Sequence, residues 1–144
     1  IQHVPGLYVT LNKPYITLVK LFQARHINLD MVIFIDAVTK TAGGAVEKTD
    51  TCLYIGSPQN LSDVSMAMDQ AIRAIPSTEK FLFFDSLNTL LFYNKPATVA
   101  QFIHFLASKM RIWKVKGIII SLEKDSNKEL LDELSQFCEV VMEL

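Results

Sequence analysis

Apolar positions along the chain fall into two alternating rhythms. Short unbroken apolar runs occur at residues 6–11 (GLYVTL), 31–35 (MVIFI), 51–55 (TCLYI), 81–84 (FLFF), 116–121 (KGIIIS) and 138–142 (CEVVM). Between them apolar residues return every three or four positions, as on one face of a helix. The first such face carries Tyr15, Leu18, Val19, Phe22 and His26 or Ile27, and the second Leu61, Val64, Met68, Ala71, Ile72 and Ile75. The third carries Val99, Phe102, Ile103, Leu106, Met110 and Trp113, within a helix expected over 98–112, and the fourth Leu130, Leu131, Leu134 and Phe137. Six strands alternating with helices predict an α/β fold of three layers: a mostly parallel sheet with helices on both faces.

Punctuation agrees with this division. Pro14 stands early in the first helix, where a missing N–H costs little, and Pro76 ends the second. Asn60 with Asp63, and Ser126 with Glu129, have the spacing of helix N-terminal caps. Residues 92–96 (FYNKP) read as a loop, in which Phe92 and Tyr93 are either contact residues or core. Residues 37–50 hold Gly43-Gly44, alternating charge and few apolar anchors, so a surface excursion more mobile than its flanks is expected. Strands without alternation predict burial on both faces for Val9, Ile33, Ile35, Phe81, Phe83, Ile118 and Ile120.

Composition narrows the class. One domain over residues 1–144 is the expectation from length, and half the residues are hydrophobic, enough for a sizeable core. A formal charge of −1 gives no footing for nucleic acid, and the group Lys109, Arg111, Lys114 and Lys116 reads as a solvated helix end. Cys52 and Cys138 fall in or beside strand-like runs, as buried free thiols do, and His3, His26 and His104 have no metal or triad spacing. The longest apolar runs are of strand length and no signal peptide is visible, so no membrane partner and a reduced cytoplasmic setting are expected.

Parallel strands present their carboxyl ends on one edge, where open α/β sheets bind ligands. The polar residues ending five of the runs are Asn12, Asp36, Ser57, Asp85 and Ser121, and Ser86 follows the acid. Convergence of this kind suits a polar ligand. It also arises in any such fold, because buried strands must end in something polar.

The run FLFFDSL, residues 81–87, resembles the Walker B strand of the RecA/KaiC-like ATPases, which have a P-loop NTPase fold. The resemblance implies that Asp85 orients Mg²⁺ and water beside ATP. GLYVTLNKP, residues 6–14, resembles that family's strand following the P-loop helix, whose catalytic Glu is matched here by Asn12. Residues 117–121 resemble the later strand that ends in a polar sensor residue, here Ser121. The order of motifs covers residues 6–144. It implies Asp85, Ser86, Asn12, Asp36 and Ser121 as remnants of a Mg²⁺ and nucleotide site, and side-by-side assembly as a homo-oligomer or with a protein partner.

Two parts of the catalytic machinery are missing. No G-x-x-x-x-G-K-[ST] occurs, and none of the five glycines precedes Lys-Ser or Lys-Thr. An amide at Asn12 cannot accept a proton from water as a carboxylate would. The expectation is therefore a degenerate RecA/KaiC-like domain, not an enzyme, serving as a binding, regulatory or assembly module without a committed cofactor. The alternative is an ATP-hydrolysing protein whose P-loop lies upstream of Ile1, with this chain truncated at its N-terminus. A flavodoxin-like or other doubly wound domain also fits the pattern, although Gly56-Ser57-Pro58 makes a poor phosphate loop.

Overall fold

The computed structural model describes residues 4–44 and 49–121, together with Asp132. The helix expected from Ser126 through Phe137, the strand at 138–142 and part of the 37–50 excursion lie outside the described residues.

Within the described residues nine elements follow in the order β1 (Gly6–Thr10), α1 (Tyr15–Ala24), β2 (Val32–Asp36), β3 (Cys52–Tyr54), α2 (Leu61–Ala74), β4 (Lys80–Asp85), α3 (Leu87–Tyr93), α4 (Pro96–Trp113) and β5 (Val115–Ile120). The strands form one sheet in the order β3-β2-β1-β4-β5. Every pairing is parallel, so the sheet is wholly parallel over the described strands.

The two faces are covered unequally. On one, Leu7, Val9, Leu11, Ile35, Leu82 and Phe84 pack against Val64, Met68, Ala71 and Ile72 of α2, Leu87 and Leu90 of α3, and Phe102, Ile103 and Leu106 of α4. On the other, Phe34 and Cys52 pack against Leu18 of α1, with Tyr8, Tyr15 and Phe22 around them. Right-handed crossovers account for this division. The connection through α1 runs across the sheet from β1 to β2, whereas those through α2 and α4 run the opposite way, and their helices belong on the opposite face.

Burial of the strands differs from expectation for the same reason. Val9 and Ile35 are fully buried, but Ile33, Phe81, Phe83 and Ile120 are half-buried and Ile118 is 60% exposed. In β4 the fully enclosed residues are Leu82 and Phe84 instead. Alternate residues of a strand point to opposite faces, and Phe81, Phe83, Ile118 and Ile120 share the face covered by a single described helix. Above that face lies an apolar groove of about 300 Å³, bounded by Tyr8, Phe22, Phe81, Phe83 and Ile120 among others.

Local signals set the helix ends. Asp63 N–H donates to the Asn60 side chain at 3.2 Å, as the cap spacing predicts. Pro96 opens α4, and the Trp113 indole at its far end donates to Asp69 of α2 at 3.1 Å. Phe92 and Tyr93 lie in the last turn of α3 rather than in a loop, because the leucine pair at 90–91 carries the helix past them. A Cβ at Gly117 would stand 2.4 Å from the Met110 sulfur, so that flexible side chain would have to shift to admit one.

Candidate functional site

Strand register aligns two acids around one residue. Thr10, at the end of β1, pairs with Asp36 of β2 on one side and with Asp85 of β4 on the other. The two carboxylates have different surroundings and different capabilities.

Asp36 is fully buried and its oxygens are occupied by local donors. Oδ1 accepts the backbone N–H groups of Val38 (2.7 Å) and Thr39 (2.8 Å). Oδ2 accepts the backbone N–H of Tyr15 (2.8 Å) and the Thr39 hydroxyl (2.6 Å). α1 has no capping side chain of its own, since Pro14 stands at its N-cap, so Asp36 supplies the missing acceptor from the neighbouring strand. The same carboxylate fixes the start of the 37–44 turn, which continues through Ala42 N–H to the Val38 carbonyl and Gly44 N–H to that of Thr39. These bonds tie Asp36 to the fold on both oxygens.

Asp85 is partly exposed. Its Oδ2 accepts the Tyr8 hydroxyl at 2.9 Å and its Oδ1 accepts the Asn12 amide at 2.8 Å. The Asn12 Nδ2 also donates to Ser86 Oγ at 3.0 Å, while its carbonyl oxygen accepts the Thr89 hydroxyl. Donor and acceptor ends of Asn12 are thus both used, which fixes the amide's orientation. Burial, followed by the hydrogen bond to Asp85 and the charge on it, raises the Tyr8 phenol above its ordinary range and keeps it a donor. The Asp85–Ser86 peptide bond is cis.

Of the residues expected at the strand ends, Asp85, Ser86 and Asn12 come together. Ser121 lies one strand over, immediately after Ile120, the register partner of Asp85. Ser57 follows β3 at the far end of the sheet order, and its hydroxyl accepts Gln59 N–H at 3.1 Å in a local turn. Tyr8 and Thr89 join the site unforeseen. The signal for Tyr8 was available: parity places it on the face shared by Phe83 and Asp85. Thr89 required knowing that a helix begins directly after Ser86.

Beside the cluster opens a cleft of about 640 Å³, lined by Leu11, Asn12, Asn88, Thr89, Leu91 and the pair Phe92 and Tyr93. Phe92 is 82% exposed and meets Tyr93 edge-on, ring centroids 5.2 Å apart. Among the described residues no group of three or more His, Cys, Asp or Glu side chains could hold a metal ion. Asp85 is a single carboxylate amid neutral oxygens, so a divalent cation here would depend on phosphate oxygens for further anionic ligands. No described helix is long and apolar enough to cross a membrane.

Residues 9–144 match a family of unknown function, DUF7504. No curated protein matches the chain.

Proposed function

We propose that this chain, which belongs to the DUF7504 family of unknown function, is a catalytically degenerate RecA/KaiC-like domain that acts as a binding, regulatory or assembly module. The supporting observation is the state of Asn12. It occupies the position where the resemblance calls for a general base, yet its amide donates to Asp85 and Ser86. A base must offer a lone pair to the proton it abstracts, and an amide has no useful basicity at neutral pH. Asp85 is itself engaged by Tyr8 and Asn12. A phosphate-binding P-loop is absent from the sequence. What remains is a polar cluster at the ligand edge of a parallel sheet, suited to holding something without reacting with it.

Calorimetric titration with Mg²⁺·ATP and a phosphate-release assay test the proposal. The expected outcome is weak or no binding and no hydrolysis above background, for the chain and equally for Asn12→Glu. Residues that act as a unit are not restored one at a time. Tight binding that Asp85→Ala abolishes, accompanied by hydrolysis, would overturn it.

The alternative, an ATPase whose P-loop lies upstream of Ile1, has one observation in its favour. β5 is the last described strand, and α1 is the one described helix on the face bearing Phe81, Phe83 and Ile118, which leaves that face uncovered at Ile118, 60% exposed. A strand paired to the outer edge of β5 and joined by a helix to β1 would cross the sheet in the same sense as α1. Right-handed connection would then lay that helix over the uncovered face, with its N-terminal end on the Asp85 side of the sheet. Asn12 stands against hydrolysis in that case too.

A further inference from the structure

Charge is unevenly spread along a chain whose formal net charge is −1. Between Asp85 and Glu123 no acid occurs, whereas Lys95, Lys109, Arg111, Lys114 and Lys116 do. Four of these cations gather at and just beyond the end of α4. The core side of that helix is Val99, Phe102, Ile103 and Leu106. Positions 105, 108, 109 and 112, spaced three and four apart, therefore run along the side turned away from the core. That side is not purely polar. Ile112 is 72% exposed and Phe105 44% exposed, with the Lys109 ammonium 5.6 Å from the Phe105 ring centroid. Arg111, Lys114 and Lys116 are exposed close by in the chain. The acids of this end do not balance the cations. Asp69 is engaged by Arg73 at 3.0 Å and by the Trp113 indole, and Glu79, just before the strand that pairs with β5, is one carboxylate against four positive charges.

We propose that the end of α4, with Lys114 and Lys116 after it, docks on an anionic lipid surface. Such an interface takes both kinds of side chain found there. Anionic headgroups attract the cations, and the boundary with the acyl chains accepts Ile112 and Phe105. The outer side of a helix is a ridge rather than a groove, which suits a continuous plane better than a bound peptide. Lying on a surface needs no membrane-crossing helix, so the lack of one among the described residues does not count against it. Strand register sets the docked orientation. Val115 pairs with Lys80, the first residue of β4, whereas Asp85 ends that strand, so the basic end and the Asp85 cluster lie at opposite edges of the sheet. A domain held on lipid in this way presents the Asp85 edge to the solution. The inference is independent of the reading of that cluster.

The test is flotation of the full chain with two kinds of vesicle. One is pure phosphatidylcholine, and the other contains phosphatidylserine as about a third of its lipid. Binding to the anionic vesicles alone is expected, with release as salt is raised to about 0.5 M and screens the surface charge. Arg111→Gln combined with Lys114→Asn should weaken binding about ten-fold or more, at about five-fold per cation. Asparagine suits the left-handed backbone at position 114, where φ is 56°. Ile112→Ser, at an exposed position that leaves the core intact, should weaken binding several-fold by removing an apolar contact. Equal binding to both vesicle types, binding to neither, or indifference to all three substitutions overturns the proposal. Persistence of binding at high salt overturns the part given to charge, and needs no variant to read. Tighter binding of a single-stranded oligonucleotide than of the anionic vesicles, unaffected by Ile112→Ser, overturns lipid in favour of a soluble polyanion.

Discussion

Replacing Asp36 with asparagine tests whether that carboxylate anchors the fold or faces a ligand. The substitution keeps shape and hydrogen-bonding reach but turns one oxygen into an N–H donor. Placed at Oδ1, the new amide would face two backbone N–H groups, those of Val38 and Thr39. Placed at Oδ2, it would face the N–H of Tyr15 and the Thr39 hydroxyl, and the hydroxyl can turn to accept. The second arrangement is the cheaper, and it still orphans the first N–H of α1. One buried donor left without a partner, together with the loss of charge from the remaining bonds, should cost about 2–4 kcal/mol. In urea, with a slope of about 2 kcal/mol/M for a domain of this size, the midpoint falls by about 1–2 M. Trp113 fluorescence and far-UV circular dichroism follow the transition. A midpoint shift below about 0.5 M, on that same slope, would mean that the four short contacts contribute little. An unchanged midpoint combined with lost ligand binding would return Asp36 to the site.

Phe84→Ala should cost about 3–5 kcal/mol, because the ring is fully buried beside Phe102. Phe83→Ala, which removes a half-buried ring stacked on Tyr8 at 4.9 Å, should cost about 1–3 kcal/mol; equal losses in urea unfolding would contradict the unequal covering of the two faces. Burial, reinforced by the nearby Asp36 charge, pushes the Cys52 thiol up to about 12, so in a Cys138→Ser background it should resist a disulfide reagent at pH 8 until urea unfolds the chain; reaction at the unfolded rate in the native state would refute this. The raised Tyr8 phenol contributes stability that is fully present below about pH 10, its unfolded value, and is lost as the pH rises further. Tyr8→Phe should therefore show a flatter alkaline decline in melting temperature, and superimposable profiles would exclude Tyr8 as the cause.

The architecture was legible because apolar runs and helical spacings are strong signals. The parallel sheet and the helix faces of α1, α2 and α4 follow from them, as does the Asn60–Asp63 cap. Burial at the sheet margin was not legible. A run such as FLFF has no alternation to reveal that Leu82 and Phe84 are enclosed while Phe81 and Phe83 face a groove, since both faces are equally apolar in composition. At the site, the residue types at the strand ends were readable but their partners were not. Asp36 and Asp85 look alike in sequence, each an acid closing an apolar strand. What separates them is which donors fold back onto them: Tyr15 and Thr39 for one, Tyr8 and Asn12 for the other. The α3 helix was missed because its seven residues are too few for a periodic signal.

The placement of β1 at the centre of the sheet has a consequence for how the protein is made. β1 leaves the ribosome before any other described element, yet one of its two neighbours, β4, is synthesised far later: Asn12 and Asp85 are 73 residues apart in the chain. At roughly 5–20 residues per second, the nascent β1–α1–β2 unit waits roughly 4–15 s with one strand edge and one apolar face unpaired. During that interval it is a target for chaperones, and a strand edge open to wrong partners. The cluster of Tyr8, Asn12 and Asp85 comes into being only when β4 docks, so the candidate site is complete only once the centre of the sheet has closed.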